Sequence, residues 1–281
     1  MAKGLLNYSD VRALAARVGL RPAKHLGQNF VTDANTIRRL VSLADVQLDD
    51  LVLEVGPGLG SLTIGLLATG AKVTAVEIDS TLAELLHLTV ISRLPGKAAN
   101  LITCQADALT LEKLPGRAPK KLVANLPYNI AVPVVLTLLE RFKSLDSGLV
   151  MVQLEVAQRL TAQPGSKIYG APSAKLAWFA ESQMAGQVPA SVFWPVPKVA
   201  SGLVRLRRRR PPTTAASKEQ VFAVIDAAFA QRRKMLRSAL SSLADASTIE
   251  AALQMANVAP SARGETLSIA EFATIAACLS K

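Results

Sequence analysis

The chain has 281 residues, half of them hydrophobic, which is enough for one large domain and a second, smaller one. Lysine and arginine outnumber aspartate and glutamate by 32 to 21, and the formal net charge of +11 predicts a polyanionic partner, which can be RNA, DNA or an acidic membrane. Two cysteines and two histidines are too few for a disulfide framework or a histidine metal cluster, so we expect a reduced, cytoplasmic setting and no metal.

The first 50 residues show helical patterns. Residues 9–18 predict a short amphipathic helix, and Asp33 is positioned to cap a second helix that buries Ile37 and Leu40. The loop at 27–29 between them is expected to fold over a bound cofactor. Beyond these helices, alternating strand and helix patterns favour a Rossmann-like α/β fold, with a mostly parallel sheet and helices on both faces.

A glycine-rich turn follows the predicted strand at 51–55. Residues 56–60 (GPGLG) lead into a helical pattern, and glycines at a strand-to-helix turn let a cofactor lie against the backbone. The dinucleotide fingerprint requires glycine at position 61, where this chain has Ser61, so a dinucleotide oxidoreductase is disfavoured. A turn that only packs a helix on a strand is the alternative.

Two acidic residues follow the next predicted strands. Glu77 ends a strand at 72–77, where it can accept hydrogen bonds from both ribose hydroxyls of an adenosine. Together with the glycine turn, this pattern suits S-adenosylmethionine, which carries an adenosine and a charged amino acid. Asp107 follows a strand at 101–105 and can accept from the adenine amino group of the same cofactor, with a helix N-cap as the alternative.

Residues 125–128 (NLPY) follow an apolar strand pattern and point most directly to a reaction. The lone pair of adenine N6 is delocalised into the ring, so acceptors on its two N–H bonds help to localise the pair on nitrogen. We assign this role to the Asn125 side chain and the Leu126 carbonyl, and we expect Tyr128 to stack on the base. A strand-ending turn is the alternative.

Four candidate residues thus follow successive strands and should meet at one sheet edge: Gly56, Glu77, Asp107 and Asn125.

A charge-free run at 122–139 is long enough to resemble a membrane span. Asn125, Pro127 and Pro133 interrupt it, however, and predict a strand, a loop and a helix instead. The N-terminus shows no signal-peptide pattern. We therefore expect a soluble protein without a membrane partner.

Residues 207–212 (RRRRPP) mark the predicted domain boundary, because two prolines after a charge run stop regular structure. We predict a catalytic domain at 1–210, which includes the helical segment 1–50, and a helical RNA-binding domain at 211–281. The four arginines are equally consistent with a solvated linker and with RNA contact.

The predicted C-terminal domain begins with a long amphipathic helix. Its apolar stripe comprises Phe222, Ile225, Phe229, Leu236, Leu240 and Leu243. Arg233 and Arg237 are four residues apart and share a flank with Lys234, and three clustered cations in a basic chain favour phosphate binding over a solvated face. Segments 247–255 and 268–279 complete a small all-helical domain.

Several segments together resemble the ribosomal RNA adenine dimethyltransferase family. They occur in the family's order between about residues 20 and 275: 24–30 (KHLGQNF), 54–60 (EVGPGLG), 77–79 (EID), 125–128 (NLPY), 193–199 (FWPVPKV), 229–237 (FAQRRKMLR) and 263–268 (RGETLS). The resemblance implies methyl transfer from S-adenosylmethionine to N6 of two adjacent adenosines near the 3′ end of small-subunit ribosomal RNA. It also implies a monomer that acts on an assembling 30S particle.

The resemblance further implies roles for individual residues. Cofactor contacts are expected at Asn29, Val31, Gly56, Glu77, Asp107 and Asn125. Phe193 is expected to stack on the second face of the adenine, with a core aromatic as the alternative. RNA contacts are expected at Lys24, Lys198, Arg233, Lys234 and Arg237.

Other classes of protein fit parts of the sequence. A large-subunit rRNA adenine methyltransferase that confers drug resistance has similar QNF and NxPY features, but the segments at 229–237 and 263–268 argue against it. A DNA adenine methyltransferase would usually carry proline in place of Leu126. A non-enzymatic RNA-binding assembly factor explains the charge, yet it gives no reason for the site residues to coincide. An assembly role in addition to catalysis is left open.

Overall fold

The computed structural model describes residues 4–22 and 28–280. The chain divides into two compact units, each of which is discontinuous in sequence. The first unit takes residues 1–157 and 183–208, and the second takes 158–182 and 209–281.

The second unit differs from the predicted C-terminal domain in one segment. The sequence placed everything before residue 211 in the catalytic domain, but residues 158–182 pack with the C-terminal helices. The Lys175 ammonium pairs with Asp226, and the Tyr169 hydroxyl donates to the Leu267 carbonyl oxygen at 2.9 Å. These partners are 51 and 98 residues apart along the chain, so no local pattern reveals the grouping.

Nine strands occur in the described chain, and seven of them form one sheet. The two others, β1 (Phe30–Val31) and β8 (Phe193–Trp194), form a separate antiparallel pair. The sheet contains β2 (Leu51–Val55), β3 (Lys72–Glu77), β4 (Leu101–Gln105), β5 (Lys121–Asn125), β6 (Ser147–Gln153), β7 (Ala180–Val188) and β9 (Ser201–Arg208). Strands β2 to β6 pair in parallel and β9 runs antiparallel to β6, which confirms the predicted mostly parallel α/β sheet.

The strand order β4–β3–β2–β5–β6–β9–β7 reverses between β2 and β5. From β2 the chain runs outward through β3 to β4, and it then returns to β5 on the other side of β2. The loops that follow β2 and β5 therefore diverge and leave a crevice at the carboxyl ends of the strands, where folds of this kind bind ligands.

Helices flank this sheet and supply much of the core of the first unit. They are α1 (Tyr8–Arg17), α2 (Ala34–Leu43), α3 (Ser61–Ala68), α4 (Ser80–Arg93) and α5 (Ala131–Arg141). Helix α6 (Leu154–Leu160) begins in the first unit, and its last three residues are grouped with the second. The predicted cap at Asp33 is confirmed, because its side chain accepts from the Thr36 N–H at 2.7 Å. Helix α3 is buried from Ser61 to Leu67, which is expected for a helix that is apolar on all sides.

The second unit is helical over most of its described length. Its helices are α7 (Ala171–Phe179), α8 (Lys218–Ala230), α9 (Leu236–Ala239), α10 (Ala246–Met255) and α11 (Ile269–Leu279). Aromatic rings hold them together: Phe229 contacts Tyr169 and Phe272 at centroid distances of 5.8 and 6.0 Å, and Phe222 meets Trp178 edge-on at 6.4 Å.

The long amphipathic helix predicted from Phe222 onward is interrupted. Helix α8 ends at Ala230, the chain turns, and α9 begins at Leu236. The Leu236 side chain is buried, and its backbone N–H donates to the Ala262 carbonyl oxygen at 2.8 Å instead of a carbonyl of α8. Tertiary burial of Leu236 therefore overrides the local helical period.

This interruption moves the predicted basic cluster. Arg233 and Lys234 lie on the exposed turn between α8 and α9, whereas Arg237 lies on α9. The prediction that the three cations share one flank of a single helix is therefore wrong. All three are exposed, so their contact with phosphates stays a prediction.

The run of four arginines is not a uniform linker. Strand β9 extends through Arg208, whose guanidinium donates to the carbonyl oxygens of Leu139 and Phe142 at 2.8 and 3.0 Å. These carbonyls end α5, where a cation is stabilising. Arg208 thus secures α5 within the first unit, and the other three arginines of the run are exposed.

Within residues 4–22 and 28–280, no helix is both long and apolar enough to cross a membrane. The charge-free run at 122–139 is divided into β5, a loop and α5, as predicted. Pro133 lies in the first turn of α5, where its missing N–H costs no helical hydrogen bond.

Candidate active site

A cavity of about 260 Å³ lies at the carboxyl ends of the parallel strands. Its wall contains all four residues predicted at the strand ends, together with four others predicted for the cofactor or the base. These eight residues are Asn29, Val31, Gly56, Glu77, Asp107, Asn125, Leu126 and Tyr128. The structure therefore brings together every predicted catalytic or cofactor-contacting residue except Phe193.

The glycine turn after β2 brings the backbone close to an aromatic ring. Gly58 has a φ of 56°, and a Cβ atom there would lie 2.7 Å from the ring of Phe30, which also lines the cavity. Glycine is therefore required at this position. Ser61, the residue that departs from the dinucleotide fingerprint, donates its hydroxyl to the Val31 carbonyl oxygen at 2.7 Å. It ties β1 to the start of α3, a role that no local pattern indicates.

The Glu77 carboxylate joins the glycine turn to the end of β3. One oxygen accepts from the Gly58 N–H and the other from the Asp79 N–H, each at 3.1 Å. The side chain is almost fully buried, and burial raises its pKa, although the two backbone donors oppose the shift. Each carboxylate oxygen has a further lone pair, so the group can still accept from a pair of ribose hydroxyls.

Asp107 lies in a turn after β4 and does not begin a helix. Its Oδ1 atom accepts from the Leu109 N–H at 2.8 Å. The helix N-cap alternative is therefore wrong, because no helix lies between β4 and β5 in the described chain and the carboxylate satisfies a backbone donor within a turn. The same carboxylate lines the cavity, where its proposed contact with an adenine amino group stays a prediction.

The Asn125 amide is held by the backbone of the segment before β1. Its Nδ2 atom donates to the Asn29 carbonyl oxygen at 3.0 Å, a contact across 96 residues of sequence. With the amide nitrogen engaged in this way, the carbonyl oxygen of the side chain is the atom suited to accept from a substrate amine. The Leu126 side chain is buried, so a polar contact from this residue comes from its backbone.

The Tyr128 ring is anchored by its hydroxyl, which lies 2.9 Å from the Ser201 hydroxyl oxygen. Ser201 is fully buried at the start of β9, and burial raises the pKa of Tyr128. The hydrogen bond fixes the direction of a half-buried ring that lines the cavity. Ser201 has no sequence signal of its own, because its partner lies 73 residues away.

Phe193 does not line the cavity. It pairs with Val31 between β8 and β1, and its side chain is 1% exposed within the hydrophobic core. The core alternative therefore describes its position, since burial of a large ring in a packed interior is strongly favourable. Phe30 lines the cavity instead and stacks on Trp194 with ring centroids 6.2 Å apart.

Glu54 belongs to the cavity wall although the sequence did not indicate it as a site residue. Its side chain is 1% exposed, and burial raises its pKa to about 8. The negative charge of Glu77 adds to this shift, and the nearby Thr63 hydroxyl opposes it. The sequence feature that could have indicated Glu54 is its position in the apolar strand pattern 51–55, where a carboxyl group is unexpected without a structural partner or a function.

The predicted RNA contacts fall elsewhere. Lys198 is exposed in the loop between β8 and β9, and Arg233, Lys234 and Arg237 are exposed on the second unit. None of these four lines the cavity. Lys24 lies outside the described residues.

The comparison with known families agrees with this site. The family model described as "Ribosomal RNA adenine dimethylase" matches residues 20–281. The chain belongs to the ribosomal RNA adenine dimethylase family. Membership makes it an S-adenosylmethionine-dependent methyltransferase.

Individual relatives are similar over nearly the whole chain. The Ribosomal RNA small subunit methyltransferase A of Thermobifida fusca is 61% identical over 273 residues, which cover 97% of this chain and 95% of that protein. The protein of the same name from Streptomyces griseus is 57% identical over 274 residues and covers 97% of this chain and 94% of its own length.

Solved structures also resemble the chain. The 23S rRNA methyltransferase ErmE matches with a TM-score of 0.66 and 29% identity, over 90% of this chain and 100% of that chain. A dimethyladenosine transferase from Plasmodium falciparum matches with a TM-score of 0.70 and 21% identity, over 88% and 95% respectively, and supports the fold.

The cavity fits the family's cofactor by charge. S-adenosylmethionine has a net charge of +1, because its positive sulfonium and ammonium groups outweigh its single carboxylate. Among the described residues that line the cavity, three carry carboxyl groups, Glu54, Glu77 and Asp107, and none is a lysine, arginine or histidine. A wall of this composition favours a cationic ligand over a pyrophosphate.

We predict that the Tyr128–Ser201 hydrogen bond contributes measurably to stability. Ser201→Ala and Tyr128→Phe should each lower the free energy of unfolding by about 1 kcal/mol, the usual net value of such a bond. The double variant should lose little more than either single variant, because both substitutions remove the same interaction. Urea unfolding of the three variants tests this, and strictly additive losses would show that the two hydroxyls are not coupled.

Proposed function

We propose that the chain transfers methyl groups to N6 of two adjacent adenosines near the 3′ end of small-subunit ribosomal RNA, giving N6,N6-dimethyladenosine. The observation that carries the proposal is the meeting of the Asn125 amide, the Leu126 backbone and the Tyr128 ring in the cavity whose acids suit the cofactor. Relatives named Ribosomal RNA small subunit methyltransferase A, 56–61% identical to this chain, support the small subunit as the source of the RNA.

The residues position the base and its amine. When bound, S-adenosylmethionine supplies a methyl group already activated by positively charged sulfur. Tyr128 stacks on the adenine, a contact worth about 1–3 kcal/mol, which helps offset the few kcal/mol needed to flip a stacked base out. The Asn125 side-chain oxygen and the Leu126 carbonyl oxygen accept from the two N6–H bonds and direct the nitrogen lone pair towards the methyl donor.

No strong base is required, because the donor is activated and the amine loses its proton after transfer.

The second transfer imposes an additional requirement on the same residues. A monomethylated N6 has one N–H left, so only one of the two acceptors keeps its hydrogen bond. The cavity must therefore admit a methyl group beside the other acceptor.

A second candidate substrate is large-subunit ribosomal RNA, which the similarity to ErmE favours. The identity to that structure is 29%, against 61% for the small-subunit relative from Thermobifida fusca, and this difference supports the small subunit. Incubation with labelled cofactor and undermethylated ribosomal subunits, followed by mass spectrometry of the RNA, distinguishes them. Label at two adjacent adenosines of the small subunit is expected, and label only in the large subunit would overturn the proposal.

We extend the proposal to the form of the substrate and of the enzyme. An assembling 30S particle is the expected substrate, and a cytoplasmic monomer is the expected acting species. The formal charge of +11 supports a large polyanionic particle as the partner.

Glu77 should be essential for cofactor affinity. Glu77→Ala removes the proposed ribose acceptor and also releases the Gly58 and Asp79 N–H groups, so S-adenosylmethionine should bind at least about tenfold more weakly, as expected for hydrogen bonds to a charged acceptor. Glu77→Gln keeps one acceptor oxygen, so its affinity for S-adenosylmethionine should lie between that of the unaltered protein and that of Glu77→Ala. Calorimetry measures the affinities, and tight binding of NADH by the unaltered protein would contradict the cofactor contacts proposed here.

Asn125 should be needed for chemistry and dispensable for RNA affinity. Asn125→Ala removes one acceptor of the substrate amine, so methyl transfer should fall by about two orders of magnitude or more, as when a donor to a transition-state oxyanion is removed. Binding to small subunits should hardly change. Asn35→Ala, which alters an exposed asparagine on α2, is the matched control. A normal rate for Asn125→Ala would refute the role of residues 125–128.

The exposed cations of the second unit should set the salt dependence of RNA binding. Replacement of Arg233, Lys234 and Arg237 by Gln should flatten the slope of log K against log salt by roughly 0.7–0.9 for each phosphate that the variant no longer binds. Arg232 is kept in this variant, because it pairs with Glu265 at 2.9 Å and so holds the turn.

A control variant changes the same number of charges elsewhere. Lys113, Arg117 and Lys143 are exposed on the first unit, and their replacement by Gln should alter the slope much less. Filter binding over a range of salt concentrations measures both variants. Equal slopes for the two would mean that the basic turn is merely solvated.

A further inference from the structure

Glu54 is a buried carboxyl group for which the proposed methyl transfer has no use. It lies on β2, lines the cavity and is 1% exposed. Its Oε2 atom has no hydrogen-bond partner among the described residues, and neither does the neighbouring Thr63 hydroxyl. A buried carboxylate in this setting is costly, because no counter-ion among the described lining residues compensates for the lost water and the nearby Thr63 hydroxyl offsets the burial only in part.

The groups around Glu54 explain its state when no cofactor is bound. The titratable residues that share the cavity wall are Glu77 from β3, Asp107 after β4 and Tyr128 after β5, and none of them is basic. Helix α3 contributes the neutral Thr63 hydroxyl. Burial, with the charge of Glu77, raises the pKa of Glu54 to about 8, so the group is mostly protonated at pH 7.

We propose that Glu54 senses the charge of the cofactor, ionising when S-adenosylmethionine binds and taking its proton back once S-adenosylhomocysteine is left. On binding, the O–H bond of the Glu54 carboxyl breaks and the proton goes to solvent. After methyl transfer, a proton returns from solvent to the carboxylate. The substrate form of the cofactor has a net charge of +1 and the product form has none, because the sulfonium becomes a thioether.

This exchange makes Glu54 a specificity-determining residue. The ionised carboxylate attracts the positively charged cofactor, and this attraction is strong where water is excluded. Once the sulfonium charge is lost, the electrostatic attraction between the cofactor and the buried carboxylate is weaker, and the carboxylate is protonated again. The cavity then prefers the substrate form of the cofactor over the product form. The proposal rests on the cofactor and not on the proposed RNA target.

Calorimetry counts the protons. S-adenosylmethionine and S-adenosylhomocysteine are each titrated into the unaltered protein at pH 7 in phosphate and in Tris, and the difference in heat between the buffers gives the protons released. Linkage predicts that the first ligand releases close to one proton more than the second. Equal release for both ligands would overturn the proposal, and this comparison needs no variant.

Two variants assign the proton to a residue. Glu54→Gln cannot ionise, so the extra proton should disappear and the ratio of the two affinities should fall by about tenfold or more, since an attraction of more than 1.4 kcal/mol is lost. Glu112→Gln, which alters an exposed carboxylate outside the cavity, should behave as the unaltered protein does. An extra proton that persists in Glu54→Gln would place the titrating group elsewhere.

Stability without cofactor provides an independent test. The folded protein keeps Glu54 protonated up to about pH 8, whereas the unfolded chain ionises it near its ordinary pKa of 4.5. The contribution of the protonated group is therefore full below pH 4.5 and is lost as pH rises to about 8. The melting temperature of the unaltered protein should fall relative to Glu54→Gln over this range. If the difference in melting temperature between the two proteins stayed constant from pH 4.5 to about 8, Glu54 would be ionised in the folded protein throughout this range.

Discussion

Two hydrogen bonds accepted by the Glu77 carboxylate hold the site together. Glu77 ends β3, yet its oxygens accept from the N–H groups of Gly58, in the turn after β2, and Asp79, which caps α4. One side chain therefore places a glycine turn, a strand end and a helix start at the same point. The Phe30 ring depends on this arrangement, because it packs directly against Gly58. Buried backbone donors need a partner, so loss of the carboxylate would disturb all three segments.

The cavity concentrates acidic groups where charge is costly. Glu54 and Glu77 are both nearly inaccessible to water, and burial raises the pKa of each. Such groups weaken the fold when the cavity is empty, since neither faces a basic side chain among the described lining residues. A cationic ligand reverses this penalty. Buried acids without basic partners are unfavourable in a stable core, and here they occur where a cationic ligand is bound. Such local violations are expected at functional sites.

The two side chains that we propose to face the substrate are fixed by partners distant in sequence. Asn125 donates to the Asn29 carbonyl oxygen, and Tyr128 is bound to Ser201. In the proposed reaction the methyl donor is already activated, so these residues would only have to orient an amine and a ring. Rigid orientation before the reaction is then the main contribution that they can make. The first contact connects the end of β5 to the segment before β1, and the second connects the loop after β5 to the start of β9.

The sequence by itself determined the parallel sheet and the order of the site residues along it. Strands buried on both faces read as continuous apolar runs, so β2 and β3 have the predicted bounds. The bounds of the edge strand β4 are also as predicted, although it is only partly buried. Residues that follow parallel strands meet at one edge of the sheet. Tertiary structure alone decided the burial of Phe193, the interruption before Leu236 and the grouping of 158–182 with the C-terminal helices. The reason is that local periodicity indicates which face of an element is buried, whereas the partner that buries it can lie a hundred residues away.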